Sequence, residues 1–393
     1  MPRPLKLGLL LLPLALLLAI LIDTPYHALW DGGLSGVYLS AVRPPLSLAS
    51  VWSGKFQTDF EAWFEQRLSL KAAMVRTDNT LNLALLHDVS AHTAIPIVLG
   101  KRHTLFEMNY LNNHNGVSEL KGDPPPRSPY SVAEQTRLVA RASRAFRALG
   151  IDFMVVFYPV KATIWSDRLR ESQLLPGGAE KAAAGYRDLL HALHEAGVPV
   201  VDGAAEFAKV YAEDPTFPLF NSGGTHWTDA GACQVAKLMV GRLPLTNVGR
   251  SKLACRLGPT QLASPEDADI SGLINVWDNS RFRDPIPELV PRLNKPLKGG
   301  PRNTLIVGTS YSDHLARELL QAGVFRDVYR LSYYRRARSS GIAWGRVASR
   351  QIIIFEQWQW SYFTVNITEF VEDMAVHVPR FAGALQQIDA QPP

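Results

Sequence analysis

Two segments far apart in the chain hold a hydroxyl and an imidazole in settings where they could act together. The first runs Thr304-Leu305-Ile306-Val307-Gly308-Thr309-Ser310-Tyr311-Ser312-Asp313 and passes, after His314, into the helical pattern Leu315 to Gly323. Ser310 therefore stands where a strand gives way to a helix, at the sheet edge where open α/β folds bind ligands. Gly308 permits a tight turn, and amides at the start of the following helix are placed to stabilise an oxyanion. A serine before a helix is also an ordinary cap. Ser312 is available for that role, which leaves Ser310 free. A serine hydroxyl is a weak nucleophile until a base takes its proton. The candidate base is His226, in the polar, glycine-rich run Phe220-Asn221-Ser222-Gly223-Gly224-Thr225-His226-Trp227-Thr228-Asp229-Ala230-Gly231 before a helix that Thr228 would cap. A merely structural histidine is the plainer alternative.

The elements that must position this pair follow from the apolar pattern. A helix is predicted from about Val132 to Leu149, stopped by Gly150, ahead of the apolar run Phe153 to Phe157. A second helix passes through Ala182 to Ala196, stopped by Gly197, ahead of Val198 to Asp202. Glycine just beyond the last turn tolerates the left-handed conformation that ends helices. Further strands are expected at Leu305 to Val307 and Ile352 to Phe355. Short, continuously apolar strands alternating with helices predict a mainly parallel sheet covered on both faces, an α/β/α sandwich.

The chain has 393 residues, 47% of them hydrophobic and 20% charged, which excludes a disordered or low-complexity protein. No internal repeat or Ser/Gly-rich linker divides it, and one main domain is expected. Arg3 and Lys6 precede an uncharged run from Leu7 to Ile22, closed by Asp23. That pattern marks an export signal, intermediate in length between a cleaved signal peptide and a membrane span. No small-x-small cleavage site follows it, so an uncleaved anchor is favoured, with the remaining chain exported. Residues 1–27 are then a signal anchor or signal peptide, 28–94 a connector with packing helices, and 95–393 the main domain. Cys233 and Cys255 are the two cysteines. An oxidising compartment permits a disulfide between them, two buried thiols being the alternative, and two cysteines cannot hold zinc alone. No metal cluster, P-loop or dinucleotide fingerprint is present in the sequence, and no cofactor is expected. The formal net charge is +5, with Arg330, Arg335, Arg336 and Arg338 interleaved with Tyr333 and Tyr334. Such a stretch suits a polyanionic glycan, and export argues against nucleic acid. An ordinary solvated face is the other reading.

An ordered series of segments resembles the alginate O-acetyltransferase family, the AlgX/AlgJ-like branch of the SGNH-type hydrolases. The series is FQTDFEAWFEQRLSLKAAMVRTDNTLN, IPIVLGKRHTLF, VVFYPVKATIWSDRL, GVPVVD, GGTHWTDAGA, LIVGTSYSDHL and IIIFEQWQW. The resemblance implies an SGNH hydrolase-like sandwich over 95–393 whose motifs run in circularly permuted order. It implies His226 as the base and Ser310 as the nucleophile. One departure stands out. The family's aspartate, two residues before the histidine, is replaced by Gly224, which cannot orient an imidazolium. Asp229, Asp202 or another carboxylate could reach His226 as a substitute acid, a backbone carbonyl could hold it in a dyad, or the protein could be a catalytically weak binding partner. Asp229 is also placed to serve the dipole of the following helix.

Other positions carry smaller expectations. Lys161 is a candidate substrate contact, with an exposed structural lysine as the alternative. Trp227 and Tyr311 are candidates for stacking on a sugar ring, or for packing. Glu356 could orient neighbours or join a salt bridge, and His314, on the helix after Ser310, could point away. The resemblance implies an O-acetyltransferase that modifies an extracytoplasmic polysaccharide, alginate-like or another exopolysaccharide, through a seryl acyl-enzyme. The acetyl donor would come from a membrane acyl carrier protein, at the periplasmic side of the inner membrane. A polysaccharide deacetylating esterase and a membrane-tethered polysaccharide-binding or assembly subunit are the competing readings.

Overall fold

The computed structural model describes residues 33–89, 95–117, 132–243, 252–296, 300–332, 334, 340–358 and 365–390, with scattered positions among the first 24. Most of the expected anchor, together with Tyr333, Arg335, Arg336 and Arg338, lies outside the described residues. Among the described residues no helix is long and apolar enough to cross a membrane.

The chain divides into two compact units. The first comprises residues 1–99 and Ile270–Arg281. Its helices include Leu48–Trp52, Lys55–Arg67 and Lys71–Leu85, and its strand β1 is Ile97–Leu99. The segment Ile270–Arg281 is tied to the third of these helices by buried Asn79, whose amide donates to the carbonyls of Ile274 (2.9 Å) and Asn275 (3.2 Å).

The second unit, Gly100–Asp269 with Phe282–Pro393, holds the central sheet. Its strands are β2 (Leu105–Glu107), β3 (Asp152–Tyr158), β4 (Val200–Asp202), β5 (Leu253–Leu262), β6 (Pro285–Leu293), β7 (Arg302–Gly308), β8 (Phe325–Ser332) and β9 (Ile352–Trp358). Five of them form a sheet in the order β4-β3-β9-β7-β8, and every pairing in it is parallel. The reason lies in the sequence. Val155, Val156 and Phe157, like Ile352, Ile353 and Ile354, are each fully buried, as strands covered on both faces require. One face packs against helices Val132–Ala148, Gly178–Glu195, Val365–His377 and Pro379–Asp389 through Phe146, Leu189, Phe370 and Phe381. On the other side, helices Gly203–Glu213, Asp229–Arg242 and Ser312–Gln321 contact β3, β4 and β8. This is the expected α/β sandwich with a mainly parallel sheet.

The sequence reading did not anticipate β5 and β6. They pair antiparallel from Leu253↔Leu293 to Leu262↔Pro285, with a register shift between Leu257 and Thr260. Four of the last five residues of β5 are exposed. A strand with so little burial lacks the apolar run by which the others are recognised. A disulfide from Cys233, on helix Asp229–Arg242, to Cys255, on β5, ties this hairpin to the sandwich across a Cα separation of 6.1 Å. A crosslink closing a loop of this length stabilises by about 2–4 kcal/mol, mainly by restricting the unfolded chain. The variant Cys255→Ser is expected to lose about that much stability in urea unfolding under oxidising conditions, and wild-type protein treated with reductant should match it. Equal stability in all three samples would show that the bridge contributes nothing.

Candidate active site

The carboxyl ends of β3, β7 and β9 place three features side by side: Lys161 just after β3, Ser310 just after β7, and Glu356 near the end of β9. The His226 loop lies across them. His226 Nε2 is 2.7 Å from Ser310 Oγ, and its Nδ1 is 2.7 Å from Asp269 Oδ2. With a carboxylate accepting from Nδ1–H, Nε2 is the basic nitrogen and takes the serine hydroxyl proton as acceptor. Asp269 is itself held in place, its Oδ1 accepting from the Thr225 amide at 2.7 Å. The ring also rests against Tyr311, with centroids 4.6 Å apart. The His226 side chain is 19% exposed and that of Asp269 28%, so the group is open enough for a substrate to reach.

Asp269 is the carboxylate from elsewhere in the chain that the sequence left open but did not name. It lies in the connection between β5 and β6, 43 residues from His226, in a stretch with no motif to mark it. Neither Asp229 nor Asp202 serves His226. Asp229 accepts from His314 Nδ1 at 2.6 Å and pairs with Arg317, and these contacts hold its carboxyl below the usual range against the opposing effect of burial. Asp202 caps the next helix through the Ala205 amide (3.0 Å) and accepts from the Tyr186 hydroxyl (2.7 Å). Gly224 takes on a different meaning. A Cβ there would stand 2.1 Å from the Asp267 carbonyl oxygen. The missing side chain is what lets the Asp267–Asp269 backbone come close enough to present a carboxylate from another segment.

Three further expectations are corrected. Lys161 is neither exposed nor a substrate contact. It is 2% exposed, and its ammonium reaches the carbonyls of Leu105 (2.9 Å), Asn221 (2.7 Å), Ser222 (3.0 Å) and Gly224 (2.6 Å). An ammonium has three protons for these four acceptors, so it is fully committed to holding the His226 loop. Burial pushes its pKa down to about 7, against the pull of the Asp269, Asp284 and Glu107 carboxylates. Trp227 and Tyr311 are buried and cannot stack on a sugar. Trp227 Nε1 donates to the Tyr311 carbonyl (3.1 Å), the Tyr311 hydroxyl donates to the Thr225 carbonyl (2.5 Å), and Tyr311 stacks on Tyr158 at 3.9 Å. The helix after Ser310 is not capped by Ser312, whose hydroxyl donates to the Thr309 carbonyl (2.7 Å). The amides of Tyr311, Ser312 and Asp313 are engaged within the turn, by Thr309 Oγ1, the Thr309 carbonyl and the Ser310 carbonyl.

Beneath the serine lies Glu356, fully buried and without a salt bridge among the described residues. Its carboxyl accepts from the Thr309 amide (2.6 Å) and touches Thr309 Oγ1 (3.1 and 3.2 Å). Gly308 makes the approach possible, since a Cβ there would lie 2.2 Å from Glu356 Oε2. Desolvation pushes the Glu356 pKa up to about 7, partly opposed by the Thr309 hydrogen bonds and by His226. Glu107, at the end of β2, is a second carboxyl missed by the sequence reading. Burial raises its pKa, and it is hydrogen-bonded to Thr225 beside Asp269. In the basic stretch, Arg330 pairs with Asp313, and Tyr334 is buried with its hydroxyl on Asp373. No group of three or more His, Cys, Asp or Glu side chains among the described residues is placed to hold a metal.

A serine at a strand end with an imidazole and a carboxylate in line, on a parallel five-stranded sheet, has the geometry of a Ser-His-Asp triad, which recurs on several α/β folds. A family profile described as "SGNH hydrolase-like domain, acetyltransferase AlgX" matches residues 121–332, and the chain belongs to that family. Among solved structures, the O-acetyltransferase domain of Pseudomonas putida AlgJ is similar at 16% identity, covering 71% of this chain and 98% of that one, with a TM-score of 0.46. Pseudomonas aeruginosa AlgX is similar at 13% identity over 70% of this chain, with a TM-score of 0.47, and the match spans 65% of the AlgX chain. Bacillus cereus PatB1 follows at 11% identity over 67% of this chain and 96% of that one, with a TM-score of 0.36. No curated protein sequence matches.

Two variants test this reading of the site. Introducing a carboxylate at the family position, Gly224→Asp, is expected to lower both stability, by more than about 1 kcal/mol, and ester turnover, because the Asp267 backbone must move. A gain in turnover would refute it. For Glu356, a raised folded pKa means the native protein keeps a proton that the unfolded chain releases from its ordinary value of 4.5 upward. The contribution of this group to stability therefore falls as pH rises from about 4.5 to about 7 and is level above that. Glu356→Gln cannot titrate, so its stability relative to wild type should improve by about 1–3 kcal/mol between pH 4.5 and 8 in urea titrations. A constant difference would mean that Glu356 is ionised throughout.

Proposed function

We propose that the protein is an O-acetyltransferase that modifies an extracytoplasmic polysaccharide through an acyl-enzyme on Ser310. The single observation that carries this reading is the continuous hydrogen-bonded line from Asp269 through His226 to Ser310. In the first half-reaction His226 Nε2 takes the Ser310 proton as Oγ attacks the acetyl carbonyl of the donor. The tetrahedral intermediate collapses, the donor leaves with the proton from His226, and acetyl remains esterified to Oγ. In the second half-reaction a polysaccharide hydroxyl gives its proton to His226 while its oxygen attacks the acyl carbon, and the proton passes to Ser310 Oγ as that bond breaks. Asp269 fixes the tautomer and stabilises the imidazolium in both. Lys161 and Glu356 hold the two loops in register.

Export is supported by the apolar run from Leu7 to Ile22 behind Arg3 and Lys6, and by the Cys233–Cys255 disulfide, since such bridges persist in oxidising compartments. The histidine precedes the serine in the chain, in keeping with the permuted motif order that the resemblance implies. A deacetylating esterase is the same chemistry with water as acceptor. Asp269 removes the motive for a purely binding role, because the carboxylate absent at Gly224 is supplied from elsewhere. An alginate-like polymer is the substrate class that the family suggests, with acetyl delivered from a membrane acyl carrier.

Ser310→Ala is expected to abolish both acetyl transfer to oligosaccharides and acetate release from an activated aryl acetate. Asp269→Asn should lower turnover by about 10³- to 10⁴-fold with little change in stability. Asp202→Asn, remote from the line, should stay within about threefold of wild type. Wild-type rates in Ser310→Ala would eliminate the seryl mechanism, and unchanged turnover in Asp269→Asn would eliminate the assigned acid.

A further inference from the structure

A second aspartate–histidine pair stands beside the first. His314 Nδ1 meets Asp229 Oδ1 at 2.6 Å, and Arg317 holds the same carboxylate oxygen. Its ring lies nearly parallel to that of His226, at an interplanar angle of 25° and a centroid separation of 6.5 Å. Each imidazole thus has Nδ1 beside its own carboxylate, and Nδ1 of His314 is in addition 2.8 Å from the Arg317 guanidinium. The difference is at the other nitrogen. Nε2 of His226 is engaged by Ser310, whereas Nε2 of His314 has no hydrogen-bond partner among the described residues, and the His314 side chain is 12% exposed. His314 is only four residues from Ser310, at the start of the Ser312–Gln321 helix, so the same turn that presents the hydroxyl presents this ring.

With Nδ1 held between Asp229 and Arg317, Nε2 is the nitrogen left to meet a ligand, as acceptor or donor according to the tautomer. The arrangement around His314 is costly for a side chain that merely covers a surface. Asp229 and Arg317, which come from two different helices, converge on Nδ1 and hold the ring in one orientation, as supporting partners do for a functional histidine. Nothing in the acyl-enzyme cycle uses this nitrogen, because the proton passing between Ser310 and either substrate is handled wholly by His226. What the cycle does need is a device that holds the acceptor so that one particular hydroxyl, and not water, meets the acyl carbon.

We propose that His314 is a positioning residue for the acceptor: its Nε2 shares a hydrogen bond with a second hydroxyl of the sugar whose neighbouring hydroxyl is acetylated. The inference rests on the acyltransferase reading and extends it to acceptor recognition. Sugars carry hydroxyls on adjacent ring carbons, so a residue engaged by both imidazoles is held in orientation, while a water molecule can occupy only one position at a time. The arrangement therefore discriminates transfer from hydrolysis. Arg317, 42% exposed at the edge of the pair, leaves room for the polymer to continue past the site.

The test separates acylation from acceptor use in the full-length protein. His314→Asn keeps a donor towards Asp229 and removes Nε2, whereas His314→Gln restores a polar group near the Nε2 position. His314→Asn is expected to raise KM for a short oligosaccharide acceptor and lower the ratio of transfer to hydrolysis, each by about three- to tenfold, the effect of losing one hydrogen bond. The rate at which an activated aryl acetate acylates Ser310 should stay within twofold, and His314→Gln should recover part of the ratio. Unchanged transfer in His314→Asn, or acylation and transfer falling together, would overturn the proposal. A second measurement does not depend on turnover. In a Ser310→Ala background, titration calorimetry with neutral and uronate oligosaccharides should show His314→Asn weakening binding by the same factor. Equal binding with and without the imidazole, or no oligosaccharide binding at all, overturns the inference. Failure of the acyl-enzyme reading would instead show as absent Ser310 acylation in the wild-type protein.

Discussion

The buried Lys161 ammonium is the constraint on which the site depends. It sits at the end of β3, one of the most buried strands of the sheet, and draws in carbonyls from three points of the Asn221–Gly224 turn as well as from β2. A polar, glycine-rich loop has little apolar surface with which to anchor itself. Carbonyls converging on one cation give it a fixed shape, and the imidazole inherits that shape from the backbone two residues away. The arrangement also explains why the group carries charge in a place that resists it. Removing the cation would leave several buried acceptors unsatisfied, a larger penalty than its own desolvation.

The carboxylate partner of His226 was hidden from the sequence for a physical reason. Motif reading looks for an acid at a fixed offset because a turn can orient one neighbour against another. Here the offset position is Gly224, and the acid arrives across space from the β5–β6 connection, where its spacing from the histidine carries no pattern. The glycine was legible as an absence, and the structure shows that the absence is itself functional in packing terms: a side chain would hold the second segment away. The serine and the histidine, by contrast, were legible because strand-to-helix and loop-to-helix transitions leave strong local marks in Gly308 and Thr228.

The fold divides along similar lines. Strands β3, β7 and β9 could be read as uninterrupted apolar runs because they are covered on both faces. The β5–β6 hairpin could not, because a largely exposed ladder is stabilised by backbone pairing and by its disulfide rather than by a buried stripe. Trp227 and Tyr311 take the packing alternative that the sequence left open, whereas Lys161 is buried where a surface position was the alternative. Aromatic and basic residues near a catalytic motif suggest contact with a ligand, and only the packing of Tyr158 on Tyr311 and the carbonyls around Lys161 reveal that they form the floor of the site.

The distances along the chain between the three aligned groups have a bearing on biogenesis. Asp269 and Ser310 lie 43 and 84 residues from His226. Closing loops of that size costs entropy before any contact can repay it, so the alignment forms late, after the parallel strands have paired. A chain still emerging from the ribosome, with β7 and the following helix not yet made, contains His226 and Asp269 but not Ser310. The nascent polypeptide therefore carries an incomplete line, and the three groups meet only once the whole domain has closed.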